Sequence, residues 1–298
     1  MHMELTKNIL ENVDLKKLTT FRIGGTARYF IKPENFEELV EAKKFAAEKN
    51  IPFFVIGCGS NVLASDEGYD GLIIKLGKGF SDYKFENDTL TAKAGTPLTL
   101  VARKSATLGL AGIHLLAGIP ATIGGALYMN AGAYDEETGQ TIVSVKVLEE
   151  DGSIKDYSFE ECQFGYRKSV FQNTKKIILE ATFKLTPANA DELVEAQKKV
   201  MESRKTKQPL DLPNAGSMFK RPVGGYAGTL IAEAGLKGTS VGGAQVSTKH
   251  AGFIVNTGNA TAKDVYDLTE LVIQRVYENS GHKFKLEREV VMLGKIAP

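Results

Sequence analysis

The chain has 298 residues, 43% of them hydrophobic, with 37 basic and 36 acidic side chains and a formal net charge of +1. That length exceeds one ordinary core, so two or three domains are expected. Near-neutrality gives no reason to look for nucleic acid or an anionic membrane as partner. Cys58 and Cys162 form neither a disulfide framework nor a zinc pattern, and no apolar run approaches the roughly 18 residues that cross a bilayer. The amino-terminal stretch MHMELTKNILENVDLKK is charged and lacks the apolar centre of a signal peptide. Met1 and His2 read as a cloning remnant, since Met3 can also start the chain. The expectation is a soluble, cytoplasmic monomer with reduced thiols and no metal site.

In chain order, NFEELVEAKKFAAEKN sets Phe36, Leu39, Val40, Ala42, Phe45 and Ala46 on one face at helical spacing. IPFFVIG follows as a buried strand ended by glycine, and DGLIIKL as a second strand. Helix, strand, glycine loop and strand together suggest an α/β unit. The next block is α+β with antiparallel strands: DTLTAKAGT, VSVKVLEEDGSIKDYSF with a hairpin turn at Asp151-Gly152, and KIILEATFKL. Two helical pieces, PLTLVARKSATLGL and ATIGGALYMN, lie among these strands. After Pro187 a charged helix, NADELVEAQKKVMESRKTKQ, marks a domain boundary. Its cations Lys198, Lys199, Arg204, Lys205 and Lys207 read as a solvated face. The last third holds NAGSMFKRP, the helix YAGTLIAEAG, a strand AGFIVN and a long helix from Ala262 to Asn279, capped by Asn259 or Thr261. KFKLEREVVMLG reads as a final strand.

Two glycine loops stand out. In VIGCGSNVLASDEGYDG, Gly57, Gly59, Ser60 and Asn61 follow a strand directly. Such a loop can bring backbone N–H groups to a phosphate, or be a plain turn. It is neither a Rossmann fingerprint, since Val62 replaces the third glycine, nor a Walker A loop. The second loop, AGIPATIGGALYMNAGAYDEETG, holds Gly118, Gly124, Gly125 and Gly132. A glycine pair inside a helical pattern costs about 1 kcal/mol per residue against alanine. It implies close approach to a ligand or a tight helix crossing. Two such loops in one half fit a large ligand carrying a diphosphate. In NAGSMFKRP, Ser217 precedes Lys220 and Arg221; it could be a turn residue, a cap or a proton donor. A serine hydrolase is disfavoured, because no Gly-x-Ser-x-Gly elbow or paired base accompanies it.

GCGSNVL followed by AGIPATIGGALYMNAGAY resembles the FAD-binding domain of the vanillyl-alcohol-oxidase/p-cresol-methylhydroxylase type. From LTTFRIGGTARYF through FGYRKSVFQ and NAGSMFKRP to LEREV, nearly the whole chain resembles the UDP-N-acetylenolpyruvoylglucosamine reductase family. The resemblance implies an α+β protein. A two-subdomain FAD-binding domain would cover 1–187, with subdomains of about 1–75 and 76–187. An α+β substrate-binding domain would cover 188–298, its final strand, about 286–298, returning to the flavin site. It implies non-covalent FAD, NADPH as reductant and a UDP-sugar substrate. The FAD diphosphate falls on Gly57, Cys58, Gly59, Ser60 and Asn61. The flavin and ribityl region falls on Gly118, Thr122, Gly124 and Gly125, and on Asn130, Gly132 and Ala133. The loop chemistry agrees, since residues 56–64 contain no acid.

Three residues carry the family's chemistry, a hydride from flavin N5 to substrate C3 and a proton to C2. By motif they are Arg167 for the substrate carboxylate, Glu289 for the enol form and Ser217 as proton donor. Glu287 would share a face with Glu289 in a strand, and the motif places the glutamate immediately before Val290. Tyr166 would line the sugar site, and Lys220 and Arg221 would meet the diphosphate of the UDP-sugar. Arg22, Gly24 and Gly25 match a family segment near the flavin. Cys58 fills space rather than reacts, and His114 and His250 are read as structural. Only 50 positions separate Arg167 from Ser217, so the family's shorter variant, without the tyrosine loop that closes over substrate, is inferred.

Overall fold

The computed structural model describes residues 8–296. The Met1–His2 reading and the last two residues of the expected final strand lie outside them. The chain divides into two compact units. Among the described residues one takes 8–10, 30–58 and 72–204; the other takes 11–29, 59–71 and 205–296. The chain passes between them inside the strands Leu10–Asp14, Thr26–Ile31 and Tyr69–Ile74, and again after Cys58 and Arg204.

In the first unit, the helix Phe36–Glu48 buries Leu39, Ala42 and Ala46 and is capped by the Asn35 side chain on Glu38 N–H. The strand Phe53–Val55 then pairs in parallel with Leu72–Ile74, as an α/β unit requires. The larger element is a five-stranded antiparallel sheet in the spatial order 154–158, 142–148, 177–184, 89–93, 83–86. Ile177–Lys184 is central because both its neighbours are antiparallel and its alternate residues, such as Ala181 and Phe183, are buried. Gly152, at φ +90°, makes the turn of the expected hairpin. The helices Leu98–Thr107 and Ile123–Met129 give Leu98, Val101, Ile123, Ala126 and Leu127 to the same core.

The charged helix, Ala190–Lys207, does not belong with the last third as its composition suggested; as far as Arg204 it is part of the first unit. The cause is a buried amide. Gln197 Nε2 donates to the carbonyls of Ala102 (2.7 Å) and His114 (2.9 Å), alongside buried Leu193 and Val200. Buried polar groups must be satisfied, and these bonds fix the helix on the first core.

The second unit is built on a four-stranded sheet ordered 214–217, 253–256, 244–246, 240–241. The helix Ala262–Asn279 covers it, burying Val265, Leu268, Val272 and Val276. Thr261, not Asn259, is its N-cap, in a reciprocal capping box with Asp264. Burial alone would raise the Asp264 carboxyl, but N–H donors of Thr261 and Gly243 hold it below the ordinary value.

The final segment differs from the expectation of one long strand. Only Val291–Leu293 is a strand, and it runs parallel to Val62–Ala64. Residues 285–289 instead make a single antiparallel bridge, Phe219 with Arg288.

Candidate active site

In the first unit the two glycine loops meet. A Cβ on Gly57 would stand 2.6 Å from Thr122 Oγ1. Thr122 caps the helix Ile123–Met129 by accepting from Gly125 N–H at 3.2 Å. The glycine pair behind it splits in role. Gly124 donates to the Ala94 carbonyl at 2.8 Å, and a Cβ there would press on Ala94 at 3.1 Å. That is backbone packing. On Gly125 a Cβ would meet only Thr122 Oγ1, at 3.4 Å, so its face is open.

The stretch before this helix is tied down from the side. Glu136 accepts from Leu115 N–H and pairs with His114 Nδ1, both at 2.8 Å. His114 is thereby structural. Asn130 ends the helix in the left-handed region, at φ +41°. Its side chain donates to Glu137 and to the Gly165 carbonyl, both at 2.9 Å, and accepts from Gly139 N–H at 2.8 Å. These bonds give Asn130 a scaffolding role, holding the turn that presents Arg167.

Arg167 sits at the tip of a tight turn in which Gly165 and Lys168 exchange backbone hydrogen bonds of 3.0 Å. Its φ of +54° is rare for a residue with a side chain and costs on the order of 1–3 kcal/mol. Gln172 donates to the Arg167 carbonyl at 3.1 Å and holds the strained backbone. The guanidinium donates to the Gly132 carbonyl at 2.9 Å and lies 5.0 Å from the ring centre of exposed Tyr166. The Gly132 carbonyl helps aim the guanidinium, whose planar fork of donors suits a carboxylate.

In the second unit Ser217 ends the strand Asn214–Ser217. Asn214 lies opposite Val255 and Ser217 opposite Phe253, a register shift of one residue. The extra residue makes a bulge, and bulges re-aim side chains. Gly216 takes it at φ +76°, supported by its N–H donating to the Asn214 side chain at 2.9 Å. Ser217 is exposed while Ala215 and Met218 are buried. Met218 donates to the Gly252 carbonyl at 2.8 Å and accepts from Glu289 N–H at 2.9 Å. The residue after Ser217 is thus bonded to Glu289 across a short ladder.

The two candidate glutamates separate clearly. Glu287 pairs with Lys220 at 2.5 Å, and its side chain is 72% exposed. A pair with one partner this exposed is worth about 0–1 kcal/mol, so it opens at little cost. Glu289 is half-buried, and its carbonyl accepts from Asn61 Nδ2 at 3.2 Å. Arg221, also exposed, stacks over Tyr226 at 4.1 Å.

Thr20 escaped the sequence reading. Its N–H donates to the Gly59 carbonyl at 3.1 Å and its hydroxyl to the Asn214 carbonyl at 2.7 Å. It links the first glycine loop to the start of NAGS. Its position in LTTFRIGGTA, beside Arg22 and Gly24, was the available signal. Arg22, at φ +55°, and Gly24, at φ +130°, carry the strain of this segment.

Gly59 is equally constrained. At φ +64°, a Cβ would fall 2.0 Å from the Leu18 carbonyl oxygen. Gly59→Ala is expected to cost on the order of 1–3 kcal/mol from backbone strain alone. A lower Tm and a weaker grip on dinucleotide should follow; an unchanged Tm would show that Leu18 moves aside freely. Burial pushes the Cys58 thiol up, with Lys75 acting weakly the other way, consistent with a space-filling residue. Among the described residues no group of three or more His, Cys, Asp or Glu side chains could hold a metal, and no helix is long and apolar enough to cross a membrane.

Two glycine loops that meet, the first free of acidic residues, and a separate α+β unit carrying Ser217 suit a dinucleotide-binding oxidoreductase. An FAD-binding domain model matches residues 27–158, and a model of the UDP-N-acetylenolpyruvoylglucosamine reductase C-terminal domain matches residues 208–293. The chain belongs to the UDP-N-acetylenolpyruvoylglucosamine reductase family. It is 42% identical over 287 residues to that reductase from Alkaliphilus oremlandii, covering 96% of this chain and 94% of the relative. It is 44% identical over 294 residues to that of Caldicellulosiruptor saccharolyticus, covering 98% and 94%. The crystal structure of the Thermus caldophilus reductase superposes with a TM-score of 0.79 at 36% identity, covering 95% of this chain and 97% of that one. FAD is the cofactor of this family.

Proposed function

We propose that this enzyme reduces UDP-N-acetylenolpyruvoylglucosamine to UDP-N-acetylmuramic acid in the cytoplasm, as a monomer, with NADPH as reductant and FAD bound without a covalent link. The observation that carries the reading is the bulged strand holding Ser217 exposed beside the Glu289 ladder. Gly57, Cys58, Gly59, Ser60 and Asn61 would hold the FAD diphosphate, and Gly118, Thr122, Gly125 and Gly132–Ala133 the flavin and ribityl groups. Gly124 and Asn130 would serve chiefly as scaffold. Bound FAD supplies the hydride for substrate C3.

The remaining chemistry belongs to side chains. Arg167 binds the substrate carboxylate with its planar fork, as charge builds at C2 and on the carboxylate oxygens. Glu289 stabilises the enol form of that carboxyl. Ser217 donates the proton that quenches C2. Lys220 and Arg221 take the diphosphate of the UDP-sugar, Lys220 exchanging Glu287 for phosphate, and Tyr166 lines the sugar site. The site is the open, shorter variant without a closing tyrosine loop.

The test starts from colour. Purified protein is expected to be yellow, to release FAD on denaturation, and to bleach anaerobically with NADPH. Adding the enolpyruvyl substrate to the bleached protein should restore the colour. Colourless protein that takes up no added FAD, or bleached protein indifferent to the substrate, would defeat the proposal.

A further inference from the structure

Residues 285–289 lack a regular strand, so few backbone bonds fix Glu289. Lys220 N–H donates to the Glu287 carbonyl at 2.8 Å, and Glu289 N–H to the Met218 carbonyl at 2.9 Å. Between these two bonds stands Arg288, opposite Phe219 in the single bridge. In extended backbone neighbouring side chains point to opposite sides. Glu287 meets Lys220 on one side, and Arg288 goes to the other, where it meets the helix Ala262–Asn279.

There the arginine has three partners on one helix. Its Nε donates to Thr269 Oγ1 at 2.7 Å, and a terminal nitrogen donates to the Glu270 carboxylate. The guanidinium carbon lies 4.7 Å from the ring centre of Tyr266. Thr269 is buried and donates its own proton to the Tyr266 carbonyl at 2.6 Å, which sets its hydroxyl to accept from the arginine. Hydrogen bonds from a charged donor are strong and directional, and the Arg288 side chain is only 20% exposed. The helix is itself well fixed, by its capping box and by buried Val265, Leu268, Val272 and Val276.

We infer that Arg288 is a positioning residue: by clasping the helix Ala262–Asn279 it sets the backbone from which Glu289 presents its carboxyl to the substrate. This rests on the role of Glu289 proposed above. The two residues share a peptide bond, so a backbone shift at one is a shift at the other. Misplacing a reacting group by about 1 Å can cost on the order of 10²-fold in rate. The clasp calls for a guanidinium, whose rigid fork can serve Thr269 and Glu270 together while its plane meets an aromatic ring; a lysine ammonium reaches only part of this set. Arg288 thus acts through Glu289, whereas Arg167 acts on the substrate itself.

The test compares holoprotein of wild type, Arg288→Met, Arg288→Lys and Thr269→Val in the two half-reactions. Arg288→Met is expected to keep flavin reduction by NADPH within about twofold of wild type and to slow reoxidation by the enolpyruvyl substrate about tenfold or more. Arg288→Lys should recover part of that loss, and Thr269→Val should slow reoxidation about fivefold. The deciding measurement places each substitution in a Glu289→Gln background. There Arg288→Met should slow reoxidation by less than about twofold more, because residues that serve one group are not additive. A full further tenfold loss would mark support of the fold alone and overturn the inference. Wild-type reoxidation by Arg288→Met, or equal loss in both half-reactions, would overturn it as well. Should Arg288→Met fail to fold, Thr269→Val decides by the same comparison. A wild type that takes up FAD but is not reoxidised by the substrate would instead defeat the functional reading itself.

Discussion

Ser217→Ala is expected to leave flavin reduction by NADPH near wild type and to slow flavin reoxidation by the enolpyruvyl substrate by roughly 10²–10⁴-fold, the usual worth of a positioned proton donor. The split follows from geometry. The side chain is exposed, and its backbone is fixed by neighbours rather than by its own hydroxyl: Gly216 carries the bulge, and Met218 bonds to both flanking chains. Removing one oxygen leaves Asn214, Gly216 and Met218 as they are, so the fold and flavin site persist. Stopped-flow absorbance of each half-reaction checks it. Equal loss in both would mark a defect in flavin binding instead.

Glu289→Gln is expected to slow the same half-reaction by on the order of 10²-fold, the lower end for loss of one electrostatic stabiliser. Glu287→Gln should change the rate less than about threefold. The reason lies in the partners each glutamate has. Glu287 is an exposed partner of Lys220, and such pairs contribute about 0–1 kcal/mol. Glu289 stands across the ladder from Met218, next to Ser217, and its carbonyl is tied to Asn61. Single-turnover rates of the two variants, measured side by side, decide between them; the reverse order would exchange the assignments.

Local rules made much of the fold legible. The helix Ala262–Asn279 falls on the residues its periodicity indicates, because an apolar stripe and a capping threonine are both local signals. The hairpin at Asp151-Gly152 is legible for the same reason. The final segment is not. An apolar run does not say whether it pairs in parallel or over what length, and here only Val291–Leu293 forms a strand, parallel to Val62–Ala64, while Arg288 bridges Phe219 in the opposite sense. The charged helix misleads in another way. Its composition argues for solvent, yet Gln197 and Arg204 lie on its inward stripe, so spacing was the better guide than charge.

Residue order by itself determined which loops are rich in glycine and free of acids, and which hydroxyl, guanidinium and carboxyl carry the family's motifs. These are properties of short segments, where backbone freedom and charge follow from composition. Tertiary structure decided the rest. It set Gly57 against Thr122, tied Gly59 to Asn214 through Thr20, and paired Glu287 with Lys220 while bonding Glu289 to Met218. It also closed Arg204 over Gly118. Each of these joins residues far apart in sequence, and such pairings are chosen by burial and hydrogen-bond satisfaction over the whole chain, which local spacing does not encode.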